Sequence, residues 1–430
     1  MAIMNTRDTG QTLLHANVSI NGERLWGRLM QLAQIGATPK GGVCRLALTE
    51  LDREARSLFV EWAKALGCTI RIDAIGNIFA RRTGTESHLP AIGTGSHIDT
   101  QPTGGKFDGN YGVLAGLEVL EALNDAGIRT RAPLKVCVST NEEGSRFVPV
   151  MMGSGVYVDA FTLEHALSAK DRDGISVKAA LETIGFHGEA PASLSQGAPR
   201  FAAYFEAHIE QGPVLEAAGK TIGVVSGALG QRWYDITIAG MEAHAGPTPM
   251  DLRRDALLPA ASLVHEVNRI ALSHSPHGRG TVGHLQVHPS SRNVIPGQVV
   301  MTVDFRHPTD DGLSAMNAAL HAWVQAQSND KISISVQQVV YYPPAPFDSA
   351  LQASIAHSAQ HRGYSYMPVV SGAGHDAVYV ARTAPAAMIF IPCKDGISHN
   401  EIEDADPAHI AAGAQVLLDA MLAQAEIVKP

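Results

Sequence analysis

The chain has 430 residues, room for roughly two or three domains, and 45% of them are hydrophobic, which supplies a large buried core. Only 17% are charged, and 33 basic against 42 acidic side chains leave a formal charge of −9, so there is no electrostatic footprint for nucleic acid or an anionic membrane. The N-terminal MAIMNTRDTGQTLLHANVSI lacks a basic region followed by an apolar core, no stretch reaches bilayer-spanning length, and Cys44, Cys68, Cys137 and Cys393 lack CxxC spacing, which points to a cytoplasmic protein with a small-molecule partner.

The pattern predicts a first helix over about Gly22–Gln34, capped by Asn21 and stopped at Gly36, and a second between the cap Thr49 and the stop Gly67. Extended CTIRIDAIGNIFARR, the short apolar PAIGTGSHI, a helix YGVLAGLEVLEALNDAG and the strand APLKVCVST follow, an alternation that predicts an α/β sheet covered by helices. From about Gly227 the order becomes strand QRWYDITIAG, helix LRRDALLPAASLVHEVNRIAL, strands TVGHLQVHP and QVVMTVDFRH, helix LSAMNAALHAWVQAQ and strand KISISVQQVV, which is a βαββαβ unit. Pro259 falls inside the first of those helices and should kink it or shorten its regular part. The α/β pattern resumes in YMPVVSGAGHDAVYVA and APAAMIFIPCKD, so the small unit, 227–340, is expected as an insertion into a discontinuous domain built from 1–226 and 341–430.

GTGSHIDTQPTGGKFDGNYG, Gly93–Gly112, joins a strand to a helix and crowds imidazole and carboxylate into a glycine-rich turn. His97 and Asp99 lie two apart at the strand end and share a face, where Asp99 can accept a hydrogen bond from the far ring nitrogen of a metal-bound His97. Alone, the pair reads first as a surface His-x-Asp and Asp108 first as a helix N-cap; the further residues shift that reading. STNEEGSRF ends a strand at the edge where open α/β sheets assemble their sites. Glu142 and Glu143 there point to opposite sides, so that one carboxylate can bind metal while the other reaches a water; the alternative is a solvated acidic turn. AYFEAHIEQG adds Glu206, His208, Glu210 and Gln211, and CKDGISHNE places His399 after the last strand. Convergence of His97, Asp108, Glu142, Glu143, His208 and His399 on one sheet edge suits two divalent ions held by oxygen and imidazole; zinc is favoured by ligand type, and manganese, cobalt or nickel suit the same set.

GSHIDT, GGKFDG, NEEGSRF, HIEQGPVLE, HAGPTPM, RRDA, SGAGHDA and GISHNE, in that order over nearly the whole chain, resemble the hydantoinase/carbamoylase branch of the M20 metallopeptidase family. The resemblance implies a metal-dependent exopeptidase-like catalytic domain of α/β class with an inserted ferredoxin-like dimerisation (lid) domain. It implies two divalent metal ions bridged by Asp108, one also held by His97 and His208 and the other by Glu143 and His399, with Asp99 behind His97. Glu142 becomes the general base toward a water bridging the ions. His244 stabilises the oxyanion, Asn293 and Arg306 hold a substrate carboxylate, Gln211 contacts the reacting group, and Gly374 lies against substrate. A cis peptide between Asp108 and Gly109 and a homodimer with shared active sites are implied as well.

The implied reaction is hydrolysis of the ureido group of an N-carbamoyl amino acid, either N-carbamoyl-L-amino acid or N-carbamoyl-β-alanine, to the free amino acid, CO2 and ammonia. Pro247 within HAGPTP and the form TGGKFDG depart from what the allantoate enzymes and many other relatives carry, and lean toward carbamoyl substrates. Allantoate amidohydrolysis and a peptidase or deacylase activity are the neighbouring readings. A different class is offered by SGAGHDA, a GxGxxA at Gly372 between strand and helix, with Asp395 as a ribose-binding acid. A purely structural metal site is disfavoured because such sites close with four cysteine-rich ligands.

Overall fold

The structure, a computed structural model, describes residues 18–428. The described chain divides into two compact units, one formed by the residues up to Ser226 together with those from Phe347 onward, the other by Gly227–Pro346. The return to the first unit comes later than residue 340 because the last strand of the second unit runs on to Tyr342.

In the first unit α1 (Gly22–Leu32) and α2 (Glu50–Ala65) precede the hairpin strands β1 (Thr69–Ile72) and β2 (Ile78–Arg82). Then come β3 (Ala91–His97), α3 (Asn110–Asp125), β4 (Leu134–Ser139), and three short helices, α4 (Met152–Tyr157), α5 (Leu163–Ser168) and α6 (Val177–Ile184). β5 (Phe201–Ile209), α7 (Val214–Ala217) and β6 (Ile222–Ala228) lead to the second unit. That unit holds β7 (Gly230–Ala239), β8 (Ala243–His244), α8 (Leu257–Ser273), β9 (Arg279–His288), β10 (Val294–Ile295), β11 (Gln298–His307), α9 (Asp310–Gln327), β12 (Ser333–Tyr342) and the two-residue β13 (Ala345–Pro346). α10 (Ser349–His361), β14 (Tyr366–Ser371), α11 (Asp376–Val380), β15 (Ala386–Ile391) and α12 (Pro407–Ala425) complete the first unit. Among the described residues no helix is long and apolar enough to cross a membrane, and the four cysteines are unpaired.

Capping chemistry sets the helix starts. Asn21 accepts a hydrogen bond from Arg24 N and Thr49 from Asp52 N, which satisfies N–H groups that the first turn leaves without helical partners. Leu25, Leu29 and Leu32 then repeat at helical spacing and bury one face of α1. α3 differs: nearly all of it is buried, packed on the sheet beside α12, and its one charged stripe, Glu118, Glu121 and Asp125, is paired to Arg24 and Arg28 of α1. Leu114, Leu117, Leu120 and Leu123 are fully buried, each contributing about 1.5–3 kcal/mol. The helix that opens just after Asp108 is thus among the most firmly held elements of the chain.

The main sheet runs β1-β2-β4-β3-β5-β15-β6, with β14 also pairing to β6. β3 is parallel to both β4 and β5, and β15 is parallel to β5, while β1, β2 and β6 join antiparallel. β3, β4 and β15 are buried at every residue, as a parallel core covered on both faces requires. Because these four strands point the same way, their carboxyl ends share one edge. His97 ends β3, Glu142 and Glu143 follow β4, His208 is the penultimate residue of β5, and His399 follows β15.

In the second unit the strands order β12-β7-β11-β9, all antiparallel, with α8 and α9 packed on the sheet. Tyr234, Ile236 and Ile238 alternate along β7 and meet Val299, Met301, Val303 and Phe305 of β11 in a separate core. Pro259 shortens α8 rather than kinking it. The helix begins at Leu257, so the proline sits in its first turn, where no N–H is needed.

Candidate metal centre

The turn after β3 builds the first half of the site. His97 is 2% exposed, and its Nδ1 lies 2.9 Å from the backbone carbonyl of Asp99. A carbonyl only accepts, so Nδ1 carries the proton and Nε2 is presented as a donor atom. This corrects the expectation for Asp99: its main-chain oxygen holds His97, while its carboxylate stands 3.9 Å from Nδ1. That carboxylate instead accepts from the N–H groups of Glu142 and Glu143, each at 3.3 Å, because these two converge on it from the end of β4. Arg45, buried and unrecognised from sequence, donates to Ile98 O at 2.8 Å and Asn110 Oδ1 at 2.6 Å, tying this turn to the start of α3. Burial lowers its pKa to about 10.

Asp108 is the hub. Its Oδ1 lies 3.7 Å from His97 Nε2 and 3.2 Å from His208 Nε2, and its Oδ2 lies 3.3 Å from His399 Nε2. His399 Nε2 is in turn 3.4 Å from Glu143 Oε2. His97, Asp108 and His208 form one set of donor atoms close enough to hold an ion, and Asp108, Glu143 and His399 form another. His208 repeats the tautomer argument, with Nδ1 2.8 Å from Ile209 O. Gln101 fixes Glu143, its N–H and Nε2 reaching the carboxylate at 3.1 and 2.7 Å. Gln211 donates to Asp108 Oδ2 at 2.9 Å and lies 3.4 Å from His399 Nε2.

The peptide after Asp108 is trans, against expectation; the cis bonds among the described residues all precede proline. The chain turns instead through Gly109, at φ 67° and ψ −47°, which closes a γ-turn with Asn110 N 2.7 Å from Asp108 O. A Cβ at Gly109 would lie 2.4 Å from the His97 ring, so the turn needs glycine for space as well as for its positive φ.

Charge is crowded here. Burial first, then Asp376, Glu143 and further carboxylates, push Glu142 well above the ordinary carboxylate value, and burial with Asp108 raises Glu143 to about 8. Burial, then Asp52, raises Asp99 to about 7. For Asp108 burial is outweighed by its bonds to His208 and His399, which hold it well below the usual range. His399 rises to about 9 through its bond to Asp108; His208 also rises to about 9, since that bond overcomes burial. Those imidazole protons neutralise excess negative charge, and a divalent ion would displace them. The donor set therefore fits divalent cations.

Beneath the centre, sequence reasoning named Glu206 without a role and passed over His375. Glu206 is buried and accepts from Ser96 Oγ at 2.6 Å and from Ala377 N at 2.8 Å. That second bond takes an N–H at the start of α11, where the GxGxxA reading needs to hold a pyrophosphate, and α11 is only five residues long. His375, at the same turn, stands edge-on to His208 with ring centres 4.6 Å apart. The cleft over the centre has a volume of about 150 Å³ and an apolar wall of Val150, Met151, Ala373 and Gly374.

The remaining expected residues lie on the second unit. His244 on β8 accepts at Nδ1 from Gly246 N at 3.0 Å, so its neutral ring carries the proton on Nε2 and is set up to donate. Asn293 immediately precedes β10, which pairs with β8, and its main-chain oxygen accepts from Ala245 N at 2.9 Å. Arg306 on β11 is drawn to Asp304, with Nε 2.9 Å from Oδ2.

Comparison with known proteins matches residues 93–423 to the model of peptidase family M20/M25/M40. An N-carbamoyl-L-amino-acid amidohydrolase of Rhizobium meliloti is 44% identical, with 96% of this chain and 99% of that protein aligned. Allantoate amidohydrolase of Bacillus subtilis is 35% identical over 90% and 94% of the two chains. The crystal structure of an amidase of the hydantoinase/carbamoylase family from Burkholderia multivorans superposes with a TM-score of 0.91 at 56% identity, covering 95% of this chain and 98% of that one.

Proposed function

Since the chain belongs to the M20/M25/M40 peptidase family and is a hydrolase of the amidohydrolase kind, we propose that it removes the carbamoyl group from N-carbamoyl amino acids using two divalent ions. The ureido group and one water give the free amino acid, CO2 and ammonia. The observation that carries this reading is the division of Asp108, one oxygen toward His97 and His208 and the other toward His399 beside Glu143. Peptidases of this family are metal-dependent, and zinc best suits the donors.

His97, Asp108 and His208 would hold one ion, and Asp108, Glu143 and His399 the other. Bound there, the ions would polarise the ureido carbonyl and bring the pKa of water toward neutrality. Glu142, buried beside His97 with its Oε2 3.6 Å from Nε2, takes the proton of the attacking water and returns it to the departing nitrogen. His244 Nε2–H donates to the developing oxyanion. Arg306, with Asn293, binds the substrate carboxylate; the guanidinium fork supplies two parallel bonds once it turns from Asp304. Gln211 and Gly374 line the reacting group's place. The catalytic and lid assignments fall to the first and second units respectively.

Ammonia release should be screened over N-carbamoyl-L-amino acids, N-carbamoyl-β-alanine, allantoate and dipeptides, with protein stripped of metal and reloaded with zinc, manganese, cobalt or nickel. Turnover of dipeptides alone would replace the carbamoylase reading by a peptidase one.

On the same reading the enzyme is a homodimer in which the second unit supplies His244 to its partner's cleft. Chains carrying Glu142→Gln and chains carrying His244→Ala, each inactive alone, should then recover about a quarter of wild-type activity when mixed and allowed to exchange, because half the dimers are mixed and each of those has one intact site. No recovery despite mass-spectrometric evidence of mixed dimers would exclude shared sites.

A further inference from the structure

Behind Asp108 lies a carboxylate that no metal-ligand assignment uses. Glu403 is 1% exposed, and its Oε1 accepts from Phe107 N at 3.0 Å and Asp108 N at 3.1 Å. Its Oε2 accepts from Ser398 Oγ at 2.8 Å. Burying a carboxylate is costly unless donors meet it, and here two main-chain N–H groups and a hydroxyl do so. The sequence makes room for it: a Cβ at Gly105 would lie 2.0 Å from the Glu403 carboxyl carbon.

Ser398 has one hydroxyl proton and two candidate acceptors, Glu403 Oε2 at 2.8 Å and Asp108 Oδ2 at 3.2 Å. Asp108 Oδ2 already accepts from Gln211 Nε2 at 2.9 Å. A second donor on that oxygen would occupy the electron pair it needs to serve as a ligand atom toward Glu143 and His399. We propose that Glu403 is a positioning residue: it anchors the Asp108 main chain and draws the Ser398 proton to itself, keeping Asp108 Oδ2 available to a cation on the Glu143–His399 side. The inference rests on the two-ion reading above.

Glu403→Gln tests it with nearly unchanged shape. The amide oxygen can keep the two N–H groups, but the amide nitrogen donates to Ser398 Oγ and turns the hydroxyl proton onto Asp108 Oδ2. Metal-stripped protein titrated with Zn²⁺ by calorimetry should bind two ions in both forms, the weaker one about tenfold to a hundredfold less tightly in the variant. Adding Ser398→Ala to Glu403→Gln removes the misdirected proton and should restore most of that affinity, which a merely structural loss would not do. Equal titrations for wild type and Glu403→Gln, or no recovery in the double variant, would overturn the inference while leaving the two-ion reading intact. Wild-type protein that takes up no ion would overturn both. Should Glu403→Gln not fold, Ser398→Ala alone decides: affinity equal to or tighter than wild type is expected, and weaker binding of the second ion overturns the proposal.

Discussion

Glu142→Gln is expected to keep both ions and lose turnover, with kcat lower by about 10²–10⁴, the range general acid–base groups contribute. Glutamine matches glutamate in shape, and neither donor set includes Glu142, so metal content by plasma mass spectrometry should stay at the wild-type value. Near-wild-type turnover at full metal content would remove Glu142 from proton transfer. The same variant carries a stability signature in metal-stripped protein. Burial and neighbouring carboxylates raise the Glu142 pKa, so the folded chain prefers the protonated form, and stability falls as pH rises above the ordinary value of 4.5. Replacing the group should stabilise the stripped protein at neutral pH, with the advantage shrinking toward pH 4.5 in urea unfolding curves.

Asp108→Asn should do the reverse on both counts. The amide offers one oxygen where two donor sets each require one, so at least one ion should be lost and activity should fall by on the order of 10³–10⁴. Although burial alone would raise the Asp108 pKa, bonds to His208 and His399 hold it down, so its charge stabilises the folded chain above about pH 3.8 and that contribution disappears as pH falls. The stripped variant should be less stable than wild type at neutral pH and should converge with it in acid. If the two variants shifted stability in the same direction at pH 7, the charge distribution described around Asp108 would be wrong.

The features readable in the sequence are those with a local cause. Strand ends announce themselves by an apolar run meeting glycine and acid, so the positions of His97, Glu142, Glu143 and His208 at one edge follow from the alternation of elements. The βαββαβ order of the second unit follows from its periodicities of two and 3.6. Partners set by distant contacts were not readable. The spacing of His97 and Asp99 suggested a side-chain bond, but the carboxylate is taken by N–H groups more than forty residues away. Glu403 looks like one acid in an acidic loop until the fold brings Asp108, 295 residues distant, against it. Gly109 was legible as a turn, whereas its trans γ-turn geometry depends on the His97 ring that fills the space beside it.

The two crossing points between the units sit on adjacent rungs: Phe347 N donates to Ser226 O at 3.0 Å. β6 runs on to Ala228 and β13 pairs back onto it, so the excursion between Ala228 and Ala345 leaves and rejoins the main sheet at one spot. A few linking residues would suffice to close that gap, so exchanging the excursion would leave the strand order of the main sheet unchanged. Substitution within the excursion therefore leaves His97, Glu142, Glu143 and His208 on an unaltered sheet edge.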